Sequence, residues 1–305
     1  MKRRNERRLR LLMKDKIFEF AYAKINPYLD IVSRRADGFH DIVSYMLTVS
    51  LCDRIELIRK ASEIAVKGND AVPEKDDLMY RAAELFFAVT EIRGGVLINA
   101  EKVIPMQAGL AGGSADAAAV LRGLNRLYGT GMSCGELEAL GARLGSDVPF
   151  CVVGGARLAR GKGDMLSDAP LFPDCRIVVA AGKENASTPR QFALLDRLFG
   201  NFESRQSDTG RLDSFLASVG TGELRGIVGT MYNIFEEIGS RDEAATEIMR
   251  SNGAVGCLMC GSGSAVFGLF NDVNASRAAC EALALAGYKA FDTSPIYKFK
   301  KEETN

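Results

Sequence analysis

"PMQAGLAGGSADAAAVLRGLN" (residues 105–125) sets Gly109, Gly112 and Gly113 directly ahead of an alanine-rich run. Glycine frees the backbone for tight turns and for close approach to a ligand, whereas alanine propagates helix best of all residues. The pairing predicts a turn feeding a helix over Ser114–Tyr128, with Ser114 as its N-cap. Such a turn presents unpaired N–H groups at the positive end of a helix, which favours an anion, phosphate above all. The stretch lacks the G-x-x-x-x-G-K-[ST] pattern, and no strand runs straight into a G-x-G-x-x-G. Taken alone it says "anion" without saying which, and a capped helix after a turn accounts for the glycines equally well.

The chain around it has 305 residues, room for one large domain or two ordinary ones; its 47% of hydrophobic and 26% of charged residues are ordinary for a globular protein, and no tract is biased enough to be read as disordered. Net charge is zero, but residues 1–10, "MKRRNERRLR", hold six basic side chains against one Glu. The remainder shows no matching basic stripe, so nucleic acid is not expected as a partner. A tail, or a start placed upstream of Met13, is the expected reading of the head, and no apolar core follows it to make a secretory signal. Residues 253–270, "GAVGCLMCGSGSAVFGLF", match a membrane span in length, but two short apolar blocks around "GSGS" predict two buried strands or a strand–loop–helix corner. Seven scattered cysteines and a single histidine suit neither a disulfide framework nor structural zinc, and a soluble, cytoplasmic protein is expected.

Alternation predicts a strand over 17–32, interrupted or at a sheet edge because Pro27 cannot donate to a ladder. Further strands are expected at 53–58, 63–68 and 94–104, and helices over 77–90 and 133–145, the latter opened by Ser133 and Glu136 as a capping box. A boundary near 168–173 divides the chain into 14–168 and 169–305. The second part reads helix, helix, strand, strand, helix, strand, and the whole is expected to be α+β, with helices on one face of an antiparallel sheet.

Five stretches in fixed order, "AYAKIN" (21–26), "RRADGFHDI" (34–42), residues 105–125, "LGSDVPFCVVGG" (144–155) and "CGSGSAVFGLF" (260–270), resemble the GHMP small-molecule kinases. The resemblance implies a two-domain GHMP kinase fold: an N-terminal domain like ribosomal protein S5 domain 2 and a ferredoxin-like C-terminal domain. It implies ATP and Mg²⁺, with the ATP phosphates wrapped by Met106, Gln107, Ala108, Gly109, Leu110, Ala111, Gly112, Gly113, Ser114, Ala115 and Asp116. Lys24 and Asp147 take the places of the catalytic pair, Lys102 falls near the adenine, and Ser114 is the candidate metal ligand. "DGFH" resembles the branch acting on a cytidine diphosphate-linked alcohol, CDP-methylerythritol, in non-mevalonate isoprenoid synthesis. There His40 and Phe39 would meet the cytosine, Phe192 its other face, and Asn26 the erythritol end. A monomer or homodimer is expected, with small molecules as its partners.

Five positions depart from the family pattern: Phe39 stands for Tyr, Gln107 and Ala111 for Gly, Asp77 for an Asn beside the adenine, and Ile234 for Asp. Ala111 penalises a positive φ, and Asp77 would repel where Asn donates. Two other readings compete: a GHMP kinase of the homoserine or mevalonate type, and a member that binds nucleotide or sugar without turning it over.

Overall fold

The computed structural model describes residues 15–182, 187–202 and 209–299; the basic head lies outside them. The first part of the chain forms strands β1 (Lys16–Arg34), β2 (His40–Lys60), β3 (Ile64–Lys67) and β4 (Gly95–Glu101), with helix α1 (Leu78–Thr90) between the last two. Helices α2 (Gly112–Tyr128), α3 (Cys134–Ala142) and α4 (Val148–Val153) follow, then the hairpin β5 (Ala156–Arg160) and β6 (Met165–Asp168). The second part comprises β7 (Arg176–Ala181), α5 (Thr188–Leu198), α6 (Thr209–Thr221), α7 (Leu224–Val228), β8 (Tyr232–Asn233), α8 (Glu243–Ser251), β9 (Gly256–Met259), β10 (Val266–Phe270), α9 (Val273–Leu285) and β11 (Lys289–Thr293).

Two sheets result. A seven-stranded sheet runs β3-β4-β2-β1-β8, with β5 and β6 added beside β2. A four-stranded sheet runs β11-β7-β10-β9, antiparallel throughout. The segment that resembles a membrane span is the β9–β10 hairpin, every strand residue of it buried, and no helix among the described residues is long and apolar enough to cross a membrane.

Three apolar layers hold these parts together. Ala21, Met46 and Leu57 pack against α1 and α2 on one side of the large sheet. Ala23, Tyr45 and Val49 meet Val179 and Phe267 in a core between the two sheets. Leu29, Ile31 and Val178 pack with Ala245 and Ala279 of α8 and α9. In a regular strand residues 21 and 23 would share a face. Here β1 shifts register against β2 between Tyr22 and Lys24, and again between Ile25 and Tyr28, so one strand serves different cores along its length. Pro27 sits in the second shift; β1 lies inside the sheet, so the proline interrupts the ladder rather than marking an edge.

Candidate active site

The first register shift places Lys24. Its backbone N–H donates to the Leu110 carbonyl at 3.2 Å, joining β1 to the glycine loop. Its ammonium, 6% exposed, donates to Asn26 Oδ1 at 2.8 Å and lies 4.0 Å from Asp147 Oδ2. Asn26 in turn donates to Ser44 Oγ, and Ser44 to the Tyr28 carbonyl, each at 2.8 Å. The chain thus fixes the lysine's aim by a relay of buried hydrogen bonds. Asp147 precedes α4, whose Pro149 presets the first turn, yet its side chain makes no capping bond. The carboxylate stays one-third exposed and turned to the cavity.

The loop holds Gln107, Gly109 and Ala111 at φ of +54°, +77° and +57°. Two of these are not glycine, so the left-handed conformation costs roughly 1–2 kcal/mol at each. Ala111 occupies the N-cap position of α2, one turn earlier than the sequence suggests, and offers no side-chain cap. Ser114 is therefore a first-turn residue and not the cap. Ala115 N–H closes the first helical bond onto the Ala111 carbonyl, which leaves the N–H groups of Gly112, Gly113 and Ser114 without an intrahelical acceptor. Ala115 itself is buried in the core against α1 and does not line the cavity. Gly109 is packed against the β9–β10 turn so closely that a Cβ there would lie 2.0 Å from the Cys260 carbonyl oxygen.

Beneath the loop, the Lys102 ammonium bridges Asp53 Oδ2 and Asp116 Oδ2. Burial works to lower the lysine's pKa, but the charges of Asp116 and Asp53 outweigh it and hold the ammonium above its ordinary range. Burial pushes the Asp116 carboxyl up to about 7, Lys102 opposing and Asp53 adding to the rise. Two carboxylates compete for one ammonium, so the trio takes a further proton readily. A carboxyl raised in the folded state stabilises the fold fully below its unfolded value, about 4, and that stability is lost as pH climbs through about 7. Asp116→Asn, which cannot ionise, is expected to melt several degrees above the parent at pH 8, with the gain shrinking at pH 5. An equal gain at both pH values would refute this assignment.

The far end of the cavity is aromatic. Phe192 of α5 stacks on the His40 ring at 4.7 Å and 22°, and meets Phe235 edge-on. His40 Nε2 lies 2.7 Å from Asp196 Oδ1, and Arg34 Nε lies 3.6 Å from the other oxygen of that carboxylate. Phe39 is 54% exposed, with the Lys162 ammonium 4.9 Å from its ring centroid. Lys162 comes from the β5–β6 turn, which reads in sequence as a glycine-rich connection, so neither it nor Asp196 is singled out there.

One cavity of about 1010 Å³ collects Lys24, Asn26, Phe39, His40, Lys102, the loop, Asp147 and Phe192, together with Lys162, Arg34 and Asp196. Of the departures, Asp77 caps α1, accepting from Met79 N–H and Asn69 Nδ2 at 2.7 Å each, so its charge is spent on the helix. Ile234 is fully buried in the C-terminal core. Among the described residues no group of three acidic, histidine or cysteine side chains gathers to hold a metal.

The family models for the GHMP kinases N-terminal domain and C-terminal domain match residues 77–155 and 229–289. The 4-diphosphocytidyl-2-C-methyl-D-erythritol kinase of Bacillus cereus is 38% identical over 261 residues, 83% of this chain and 88% of that protein. That of Caldicellulosiruptor saccharolyticus is 39% identical over 267 residues, 85% and 90% of the two chains. A crystal structure of 4-(cytidine 5'-diphospho)-2C-methyl-D-erythritol kinase superposes with a TM-score of 0.73 at 32% identity, covering 92% of this chain and 99% of its own. Mevalonate kinase of L. major shares the fold, with a TM-score of 0.72 at 16% identity over 92% of this chain and 97% of its own. With its loop, its two sheets and these relatives taken together, the chain belongs to the GHMP kinases, in the family of the 4-diphosphocytidyl-2-C-methyl-D-erythritol kinases.

Proposed function

We propose that this chain transfers the γ-phosphoryl group of ATP to a hydroxyl of 4-diphosphocytidyl-2-C-methyl-D-erythritol, in non-mevalonate isoprenoid precursor synthesis. The observation that carries this reading is the Lys24–Asp147 pair, 4.0 Å apart in the cavity that the glycine loop also lines. Phosphoryl transfer needs an aligned alcohol, an acceptor for its proton and positive charge at the transferring group. Asp147 accepts or orients the proton of the alcohol. Lys24, aimed by Asn26, neutralises charge developing on the phosphoryl oxygens. The first-turn amides of Gly112, Gly113 and Ser114 grip the nucleotide phosphates.

The residues present suit Mg²⁺ that leans on its substrate: with no group of three acidic, histidine or cysteine side chains gathered among the described residues, the Ser114 hydroxyl and nucleotide oxygens would hold it. Bound there, the ion supplies charge neutralisation to the phosphates. At the other end Phe192 and Phe39 offer faces to the cytosine. His40, with Nε2–H given to Asp196, keeps Nδ1 as an acceptor for the exocyclic amine. Lys162, its ammonium 4.9 Å from the Phe39 ring centroid in the cavity that the catalytic pair also lines, meets the substrate's diphosphate.

The test is turnover. Incubated with ATP and magnesium, the protein is expected to release ADP with the cytidine diphosphate alcohol and not with homoserine or mevalonate. Equal rates with homoserine or mevalonate would favour those kinases. No ADP with any of the three alcohols would favour a member that binds without catalysis.

A further inference from the structure

We propose that Asp53 is a positioning residue for the nucleotide: it holds both ends of the glycine loop and so sets the aim of the loop's amides. The inference rests on the ATP-dependent reading above. Asp53 lies on β2 opposite Ala21, and its carboxylate is fully buried. It does not line the cavity, so it touches neither substrate and can act only through its neighbours.

The neighbours are the two ends of the loop. Pairing of β2 with β4 stops at Arg54 and Glu101, and the next residues leave the sheet toward the loop. Asp53 Oδ1 accepts the N–H groups of Val103 and Ile104, the latter at 2.8 Å, in place of a ladder. Its Oδ2 accepts from the Lys102 ammonium, which also donates to Asp116 in the second turn of α2. One carboxylate therefore ties the entry of the loop to the helix at its exit. The ammonium lies under the first turn of that helix, 3.9 Å from where a Cβ on Gly112 would stand.

The loop has little else of this strength. No charged side chain lies between residues 103 and 115. Its middle is tethered by neutral backbone bonds, Lys24 N–H to the Leu110 carbonyl and Ala265 N–H to the Ala108 carbonyl, each at 3.2 Å. Two buried carboxylates on one ammonium leave surplus negative charge beneath a phosphate site, an arrangement unfavourable to both stability and anion binding. Holding amides in place against left-handed strain at Gln107 and Ala111 gives that arrangement a purpose.

Two substitutions test it. Asp53→Asn keeps Oδ1 for the two amides and replaces Oδ2 by an amide NH2 that donates and cannot accept from Lys102; Asp53→Leu removes both acceptors. Steady-state rates are measured with ATP and the cytidine diphosphate alcohol varied separately, and AMP-PNP binding is measured by calorimetry. Expected for Asp53→Asn are a KM for ATP and a Kd for AMP-PNP raised about tenfold, with the alcohol's KM within about twofold. Asp53→Leu should be worse in the same direction; if it does not fold, Asp53→Asn decides alone. Unchanged AMP-PNP affinity in folded Asp53→Asn would overturn the proposal, as would an equal rise in both KM values, which marks general loosening. Should the parent show no turnover, the kinase reading fails, while AMP-PNP affinity still decides the role of Asp53.

Discussion

Asp147→Asn is expected to keep its fold and to lose turnover by about 10³-fold, within the range that a positioned proton acceptor supplies. The change is isosteric, and the carboxylate is one-third exposed with no capping bond to lose, so α4 has no reason to unravel. What disappears is the charge. Lys24 keeps its bond to Asn26, so its ammonium remains aimed while its anionic partner is gone. Substrate affinity is expected to change little, because the loop and the aromatic end are untouched, and the loss should fall on kcat. ADP release in saturating substrates, beside a melting curve matching the parent's, checks it. A kcat within tenfold of the parent would remove Asp147 from the chemistry and leave the proton to solvent.

Gly109→Ala is expected to be the most damaging single methyl in the loop. At φ +77° the residue already suits glycine, and the added carbon would stand 2.0 Å from the Cys260 carbonyl oxygen. A backbone carbonyl within a hairpin turn cannot swing aside as a side chain can, so loop and turn must separate. The separation breaks the Ala265 N–H bond to the Ala108 carbonyl and disturbs Gly261, whose own Cβ position lies 3.3 Å from the Lys24 ammonium. We expect a stability loss of about 3 kcal/mol, or roughly 6–12 °C in Tm, with nucleotide binding lost as well. Gly113→Ala is the matched control: its φ is not in the left-handed region, and the new carbon would meet only Leu78, at 3.6 Å. If the two variants melt alike, the close approach of loop and turn is not what holds Gly109.

The departures from the family pattern show how far local reading reaches. The cost of Ala111 is legible from its missing glycine, and the residue does adopt the positive φ that the loop demands. The charge of Asp77 reads as a repulsion at an adenine pocket, whereas packing turns it onto the amide of Met79 and the side chain of Asn69. The capping box of Ser133 and Glu136 is legible because both partners lie within one turn of helix. The cap of α2 is misread by one turn because Ala111, held in place by its surroundings, begins the helix that Ser114 could have begun. The β5–β6 hairpin and its Lys162 escape because short strands between glycines carry too few alternating positions to register.

By itself the amino-acid sequence determined the elements whose causes lie within a few residues: a glycine turn feeding a helix, a capped helix, buried strands around "GSGS", and five ordered stretches that mark the family. Only the tertiary structure decided which side chains meet. Lys24 and Asp147 come together because β1 breaks register at the right place and Asp147, just ahead of α4, does not spend its carboxylate on a capping bond. Asp53 becomes a support for the loop because β4 ends one pair short of it. The physical reason is range: torsional preference and capping act over one turn, whereas a buried charge or a shifted ladder takes its meaning from strands dozens of positions away.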